Sequence, residues 1–162
     1  MFFWFLGLSF LAVLVVFSSP ALDYRLVMFG AVLPVVEVAV GGAWVLHTLL
    51  APVAVLTVVM LATTGRRLPR RQWLGLPIGM FMHLVLDGSW TTSELFWWPV
   101  LGGEGVLGEV DVPEAGRNVV VVAAMEVVGV AVLAFLVQRL DLAGAGRERF
   151  VRTGQLMRDR LV

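Results

Sequence analysis

Five ionisable side chains lie inside runs of valine, leucine, phenylalanine and methionine: Glu37, His47, His83, Asp87 and Glu126. The chain has two histidines, and both belong to this set. A carboxylate near the centre of a bilayer costs roughly 2.5–3.5 kcal/mol even on forgiving insertion scales, so such groups persist where they pair, face a cavity or hold a cation. His83 and Asp87 are four residues apart, which puts both on one face of a helix. An imidazole pair with two or three carboxylates suits a borderline divalent cation such as zinc, manganese or iron, whose charge offsets the burial of the acids. A cation so held would activate water for hydrolysis. Each residue also has a plainer reading. A single membrane histidine can be a hydrogen-bonded packing group, Asp87 a carboxylate at an interfacial helix end, and Glu126 a bond to a neighbouring helix. The same groups could instead form the proton relay of a small transporter, or belong to a non-catalytic membrane scaffold.

The elements that position these groups follow from composition. The 162 residues are 59% apolar and 15% charged, with mean hydropathy +0.91. A soluble domain carries about a quarter charged residues. Four apolar runs cover residues 2–18, 44–63, 73–88 and 118–137. About 20 residues at 1.5 Å rise cross a hydrocarbon core of about 30 Å, and in lipid such runs must be helices to satisfy their own backbone. The 73–88 run is one residue short of the usual minimum of about 17, which calls for snorkelling or local thinning. A fifth run, 26–40, is short, and it is interrupted by Pro34 and Glu37. It reads as a kinked span or a re-entrant segment. The expectation is an all-α polytopic transmembrane bundle of about five spans, the second short or kinked. Residues 1–138 form the helical domain and 139–162 a basic tail. The amino-terminal run lacks a positive leader and an A-x-A site, and is expected to be a retained helix rather than a cleaved signal.

Arginines set the orientation, since lysine is absent. Arg66, Arg67, Arg70 and Arg71 fall in one loop without an acid, which places it in the cytoplasm. Residues 89–117 carry Glu94, Glu104, Glu109, Asp111 and Glu114 against Arg117 and belong outside. The tail, with six arginines and three acids, belongs inside. Trp44, Trp73, Trp90, Trp97 and Trp98 mark run ends, as interfacial anchors do. Counting along the alternating spans puts Glu37, His47, His83 and Asp87 in the outer leaflet, with Glu126 nearer mid-depth. The tail places Phe150, Met157 and Leu161 on one helical face. It is either an amphipathic helix on the membrane surface or a solvated, frayed end. Other chemistries are poorly served. Cysteine is absent, which excludes disulfides and thiolate sites, and no basic stripe suits nucleic acid. Ser89 and Ser93 lack a G-x-S-x-G elbow. Gly102, Gly103 and Gly105 lack the Lys-Ser/Thr continuation of a P-loop and read as turn formers.

The segment MFMHLVLDGSWTTSELFWWP resembles the hallmark of the YdjM-like family, described as inner-membrane metal-dependent hydrolases. That hallmark is a His, an Asp four residues on, a Thr-containing turn and an aromatic-Trp-Pro end. Here it falls on His83, Asp87, Thr91 or Thr92, Trp98 and Pro99. VLHTLLAPV is similar to the family's Thr-His-Ser-Leu-Leu element, with His47 as its histidine. GAVLPVVEV is similar to its Leu-Pro-Asp-hydrophobic-Asp element. The resemblance covers about residues 22–101. Departures are Val35 where an acid is expected, Glu37 in place of the more usual Asp, and the absence of the early histidine and of an Arg-Gly pair. The resemblance implies a hydrolase in the inner (plasma) membrane that uses a divalent metal, zinc or manganese, on a lipid or other amphiphile. His47, His83 and Asp87 are the expected ligands, with Glu37 as a fourth ligand or the general base. Glu126, Thr91 and Thr92 are the expected outer partners.

Overall fold

The apolar runs fold as helices, and prolines decide where those helices break. A computed structural model describes residues 1–40, 42, 44–100 and 116–157. Helix α1 is Phe2–Phe17, α2 Tyr24–Val32 and α3 Val35–Val40. A single 3-10 turn, Val45–His47, leads to α4, Leu50–Ala62. Then come α5, Arg67–Trp73, α6, Gly75–Asp87, a 3-10 turn Ser89–Thr91 and a short α7, Ser93–Phe96. Helices α8, Val119–Arg139, and α9, Arg147–Thr153, complete the chain. The described residues contain no strand, so the all-helical expectation holds.

The five spans do not appear as five long helices. Pro34 has no N–H to offer, and the 26–40 run divides there into α2 and α3. Pro77 likewise cannot donate to the carbonyl of Trp73, and α5 and α6 part at Leu74. Among the described residues one helix, α8, is long and apolar enough to cross a membrane; α1 and α4 are apolar but shorter. The Gly102, Gly103 and Gly105 turns and the acids Glu104, Glu109, Asp111 and Glu114 lie outside the described residues.

Close helix crossings hold the bundle. Helix α2 lies along α6, α1 packs on both α2 and α8, and α4 leans on α6. A Cβ on Gly79 would run into the carbonyl of Val27, and one on Gly30 into the carbonyl of Leu76. Backbones meet at these points because neither residue has a side chain. Gly7 and Gly129 bring α1 onto α8 in the same way.

At one end of the bundle Phe10, Val13, Leu22, Tyr24, Val27, Leu136, Leu140 and Leu156 form a buried cluster. The tail joins it: the Tyr24 amide donates to the Gly154 carbonyl at 2.9 Å, and Phe150 stacks on Phe10 with ring centroids 6.1 Å apart. Arg25, held by Asp23 at 2.9 Å, also donates to the Val151 carbonyl at 2.6 Å. Residues 147–157 are therefore docked, with Phe150 turned inward; Leu161 of the expected apolar face lies outside the described residues. Because Gly75 abuts Asp23, the arginines of α5 sit at this same end. The histidines sit at the other.

Candidate metal centre

His83 stands two turns into α6, where the helix faces α2 and α1. The Gly30–Gly79 crossing brings the end of α2 close enough for the His83 Nδ1 to lie 2.7 Å from the Ala31 carbonyl. Ala31 is in the last turn of α2, whose carbonyls have no partner inside the helix. A carbonyl can only accept, so Nδ1 carries the hydrogen and Nε2 of the neutral ring keeps its lone pair. Phe5 of α1 lies against the His83 ring, centroids 4.0 Å apart, and fixes its plane.

His47 ends its 3-10 turn and is held there by Glu37. The Glu37 carboxylate accepts from the amides of Trp44 at 3.0 Å and Leu46 at 2.9 Å, and from His47 Nδ1 at 3.1 Å. Here too the carboxylate accepts at Nδ1, and His47 Nε2 is left without a hydrogen-bond partner. The turn is tied to α7 by the Leu49 amide, which donates to the Phe96 carbonyl at 2.9 Å.

Asp87 closes α6. Gly88 adopts φ 83°, the left-handed conformation that glycine takes without steric cost, and turns the chain back. Ser89 can then donate its hydroxyl to Asp87 Oδ2 at 2.6 Å. Arg117, immediately before the Asn118 cap of α8, donates to the Asp87 carbonyl, and its guanidinium lies 3.6 Å from Oδ1.

His47, His83 and Asp87 are all fully buried. One ligand atom from each lies within 4.8 Å of the other two, and the imidazole centroids are 5.2 Å apart at 81°. His47 Nε2, His83 Nε2 and Asp87 Oδ1 have no hydrogen-bond partner. A buried polar atom left unpaired costs about 1–3 kcal/mol. Two imidazoles, each with one nitrogen tied and the other unbonded, and a carboxylate, with one ligand atom of each within 4.8 Å of the others, could hold a divalent cation. At about 2.0–2.1 Å per bond, tetrahedral ligand atoms stand about 3.4 Å apart, so the widest pair has up to about 1.4 Å to close on binding. Among the described residues the Glu37 carboxylate meets the His47 ring and the Asp87 carboxylate the Arg117 guanidinium, and a cation there would offset the burial of these acids.

The structure redistributes the remaining expected roles. Glu37, expected as a fourth ligand or the general base, is not among the three grouped residues; its carboxylate meets His47 at Nδ1, a position from which it would orient that ring. Glu126 orients no histidine; its Oε2 accepts from the Phe3 amide at 2.9 Å and satisfies the first turn of α1. Thr91 spends its hydroxyl on the Gly88 carbonyl at 2.7 Å. Thr92 is held through its backbone, to Ser89 and Phe96. Ser89 and Arg117 take the place expected of the threonines. The sequence marks for them are that Ser89 follows the Asp-Gly turn and that Arg117 is the one arginine of an acidic segment. No family model matches the chain, and neither does any curated protein or solved structure.

Proposed function

We propose that the chain is a membrane-embedded, metal-dependent hydrolase, as its resemblance to the YdjM-like family implies, with His47, His83 and Asp87 as ligands. The observation that carries this reading is the grouping of three buried residues, one ligand atom of each within 4.8 Å of the others, with the Nε2 of both histidines left without a hydrogen-bond partner. Catalytic zinc sites use three protein ligands and keep a further position open. A cation bound there supplies Lewis acidity to a substrate oxygen. The chain's own residues do the rest: Glu37 and the Ala31 carbonyl fix the two rings, and Ser89 and Arg117 hold Asp87.

Surface chemistry supports the membrane placement. Val119 is 77% exposed, Val16 73% and Leu61 71%, and α8 turns little of its surface inward. Large apolar side chains exposed in this way on several helices suit lipid rather than water. The arginines of α5, the tail and Arg25 gather at one end, which would be cytoplasmic, and the metal ligands at the other, near the outer leaflet. The proline-divided segments would then complete about five spans, with non-helical backbone kept inside the bundle. An amphiphilic substrate fits a groove of about 370 Å³ between α1, α4 and α6, lined by Leu49, Val53, Leu56 and Met82. Leu49 and Met82 are close neighbours in sequence of His47 and His83.

The complete burial of all three ligands favours a second reading, a structural metal that staples α6 to the His47 turn. Turnover separates the two. Metal-loaded protein is expected to hydrolyse amphiphilic carboxyl or phosphate esters in mixed micelles, and Asp87→Ala to abolish this. A chain that binds its metal stoichiometrically yet turns over no such ester would be a metal-stabilised scaffold. The proton-relay alternative is less well served, because α8 carries no ionisable residue between Glu126 and Arg139.

A further inference from the structure

At the opposite end of the bundle from the metal ligands, α4, α5 and α6 enclose a second groove, of about 560 Å³. Its length is apolar, formed by Val55, Val58, Trp73 and Leu76, and its mouth is polar, formed by Thr63 and Arg66. Thr63 and Arg66 follow the end of α4, so the groove runs from the arginine-rich end inward, over about two turns of helix. The four arginines here are not equivalent. Arg70 is committed to Thr63, donating to its carbonyl at 3.3 Å and its hydroxyl at 3.4 Å, and this bond holds α5 against the end of α4. Arg66, Arg67 and Arg71 are exposed and have no acidic partner among the described residues. A one-ended cluster of uncompensated guanidinium groups above an apolar slot is complementary to a molecule with an anionic head and a hydrocarbon chain.

We propose that this groove binds an anionic phospholipid, its phosphate held by Arg66 at the mouth, with Arg67 and Arg71 adding positive charge nearby, and one acyl chain lying along Val55 and Val58. The site rests on the membrane placement above and is independent of the metal centre. In that placement Trp73 and the arginines lie at the level of the cytoplasmic headgroups, where a guanidinium fork meets a phosphate bidentately. A free phosphate would use the arginines without the slot. A zwitterionic lipid would use the slot without the charge preference.

The test uses the full chain. Its recovery with membranes is scored first, so that failure of the membrane reading is seen before any lipid is compared. The protein in an uncharged detergent is then titrated with phosphatidylglycerol or phosphatidylcholine of identical acyl chains, and with inorganic phosphate, and read by native mass spectrometry. Phosphatidylglycerol is expected to bind at least ten-fold tighter than phosphatidylcholine. The variant Arg66→Gln/Arg67→Gln should lose about five-fold of that preference per arginine. Val58→Trp, which fills the exposed slot without touching the arginines, should weaken both lipids alike. Equal binding of the two lipids, displacement of phosphatidylglycerol by inorganic phosphate, or undiminished binding in Val58→Trp would each overturn the proposal.

Discussion

Glu37→Gln separates a residue that orients a metal ligand from one that is a ligand. Glu37 Oε2 accepts from Trp44, Leu46 and His47, and Oε1 also accepts from Leu46. A glutamine whose carbonyl replaces Oε2 keeps those three acceptor contacts but sets its NH2 against the Leu46 amide where Oε1 accepted, so apo-protein stability should fall by about 1 kcal/mol. The charge behind His47 is what disappears. Removing such an outer partner costs about 10–100-fold in metal affinity, or about 1.4–2.7 kcal/mol. Glu37→Ala adds a structural loss, because the amides of Trp44 and Leu46 lose their acceptor as well; about 1–3 kcal/mol of further destabilisation is expected. Zinc affinity is measured by competition with a chromophoric chelator, and stability by thermal unfolding in the same detergent. Unchanged affinity in Glu37→Gln would refute the orienting role. A loss as large as that of His47→Ala would make Glu37 a ligand after all.

Gly79→Leu drives a side chain into the backbone of α2, parting the Ala31 carbonyl from His83. Overpacking of about 1–3 kcal/mol is expected, seen as a lower unfolding temperature together with weaker metal binding; a change in stability alone would show that the crossing does not position the histidine. Ser89→Ala removes the 2.6 Å bond to Asp87 Oδ2 and should weaken metal binding about ten-fold, while Thr91→Ala should leave it unchanged. Equal effects of the two would mean that the Ser89 hydroxyl does not hold Asp87 for the metal. Saturating metal at about 100 times its dissociation constant should stabilise the chain by about 2.7 kcal/mol, and a chelator should reverse this. His83→Ala should show no chelator effect, so a response equal to that of the unmutated chain would place the metal elsewhere.

Periodicity and spacing make part of this site legible. The apolar runs foretell the helices, and the four-residue spacing of His83 and Asp87 foretells a shared face. Depth counting also joins His47 to them across some 36 residues of chain, because antiparallel helices of like length bring equal depths together. Depth does not give direction around a helix axis, and that is why Glu126 departs from expectation: its carboxylate accepts from the start of α1 rather than meeting a histidine. Glu37 is recognisable as a site residue, but its role depends on which imidazole nitrogen it meets, which spacing cannot reveal. Pro34 is legible as the interruption of the 26–40 run, which does divide there; Pro77 shortens the 73–88 run unannounced, because it withholds a hydrogen bond where hydropathy sees only hydrophobicity. The contacts of Gly30 and Gly79 leave no apolar pattern to read, since what counts there is a missing side chain.

Metal-edge X-ray absorption on the purified, unmutated chain tests the central claim most directly. About one divalent ion per chain, coordinated by two imidazole nitrogens and carboxylate oxygen at about 2.0–2.2 Å, is expected, with one imidazole lost in His47→Ala and one in His83→Ala. A chain that takes up no stoichiometric metal, or whose metal keeps its spectrum in both variants, would contradict it.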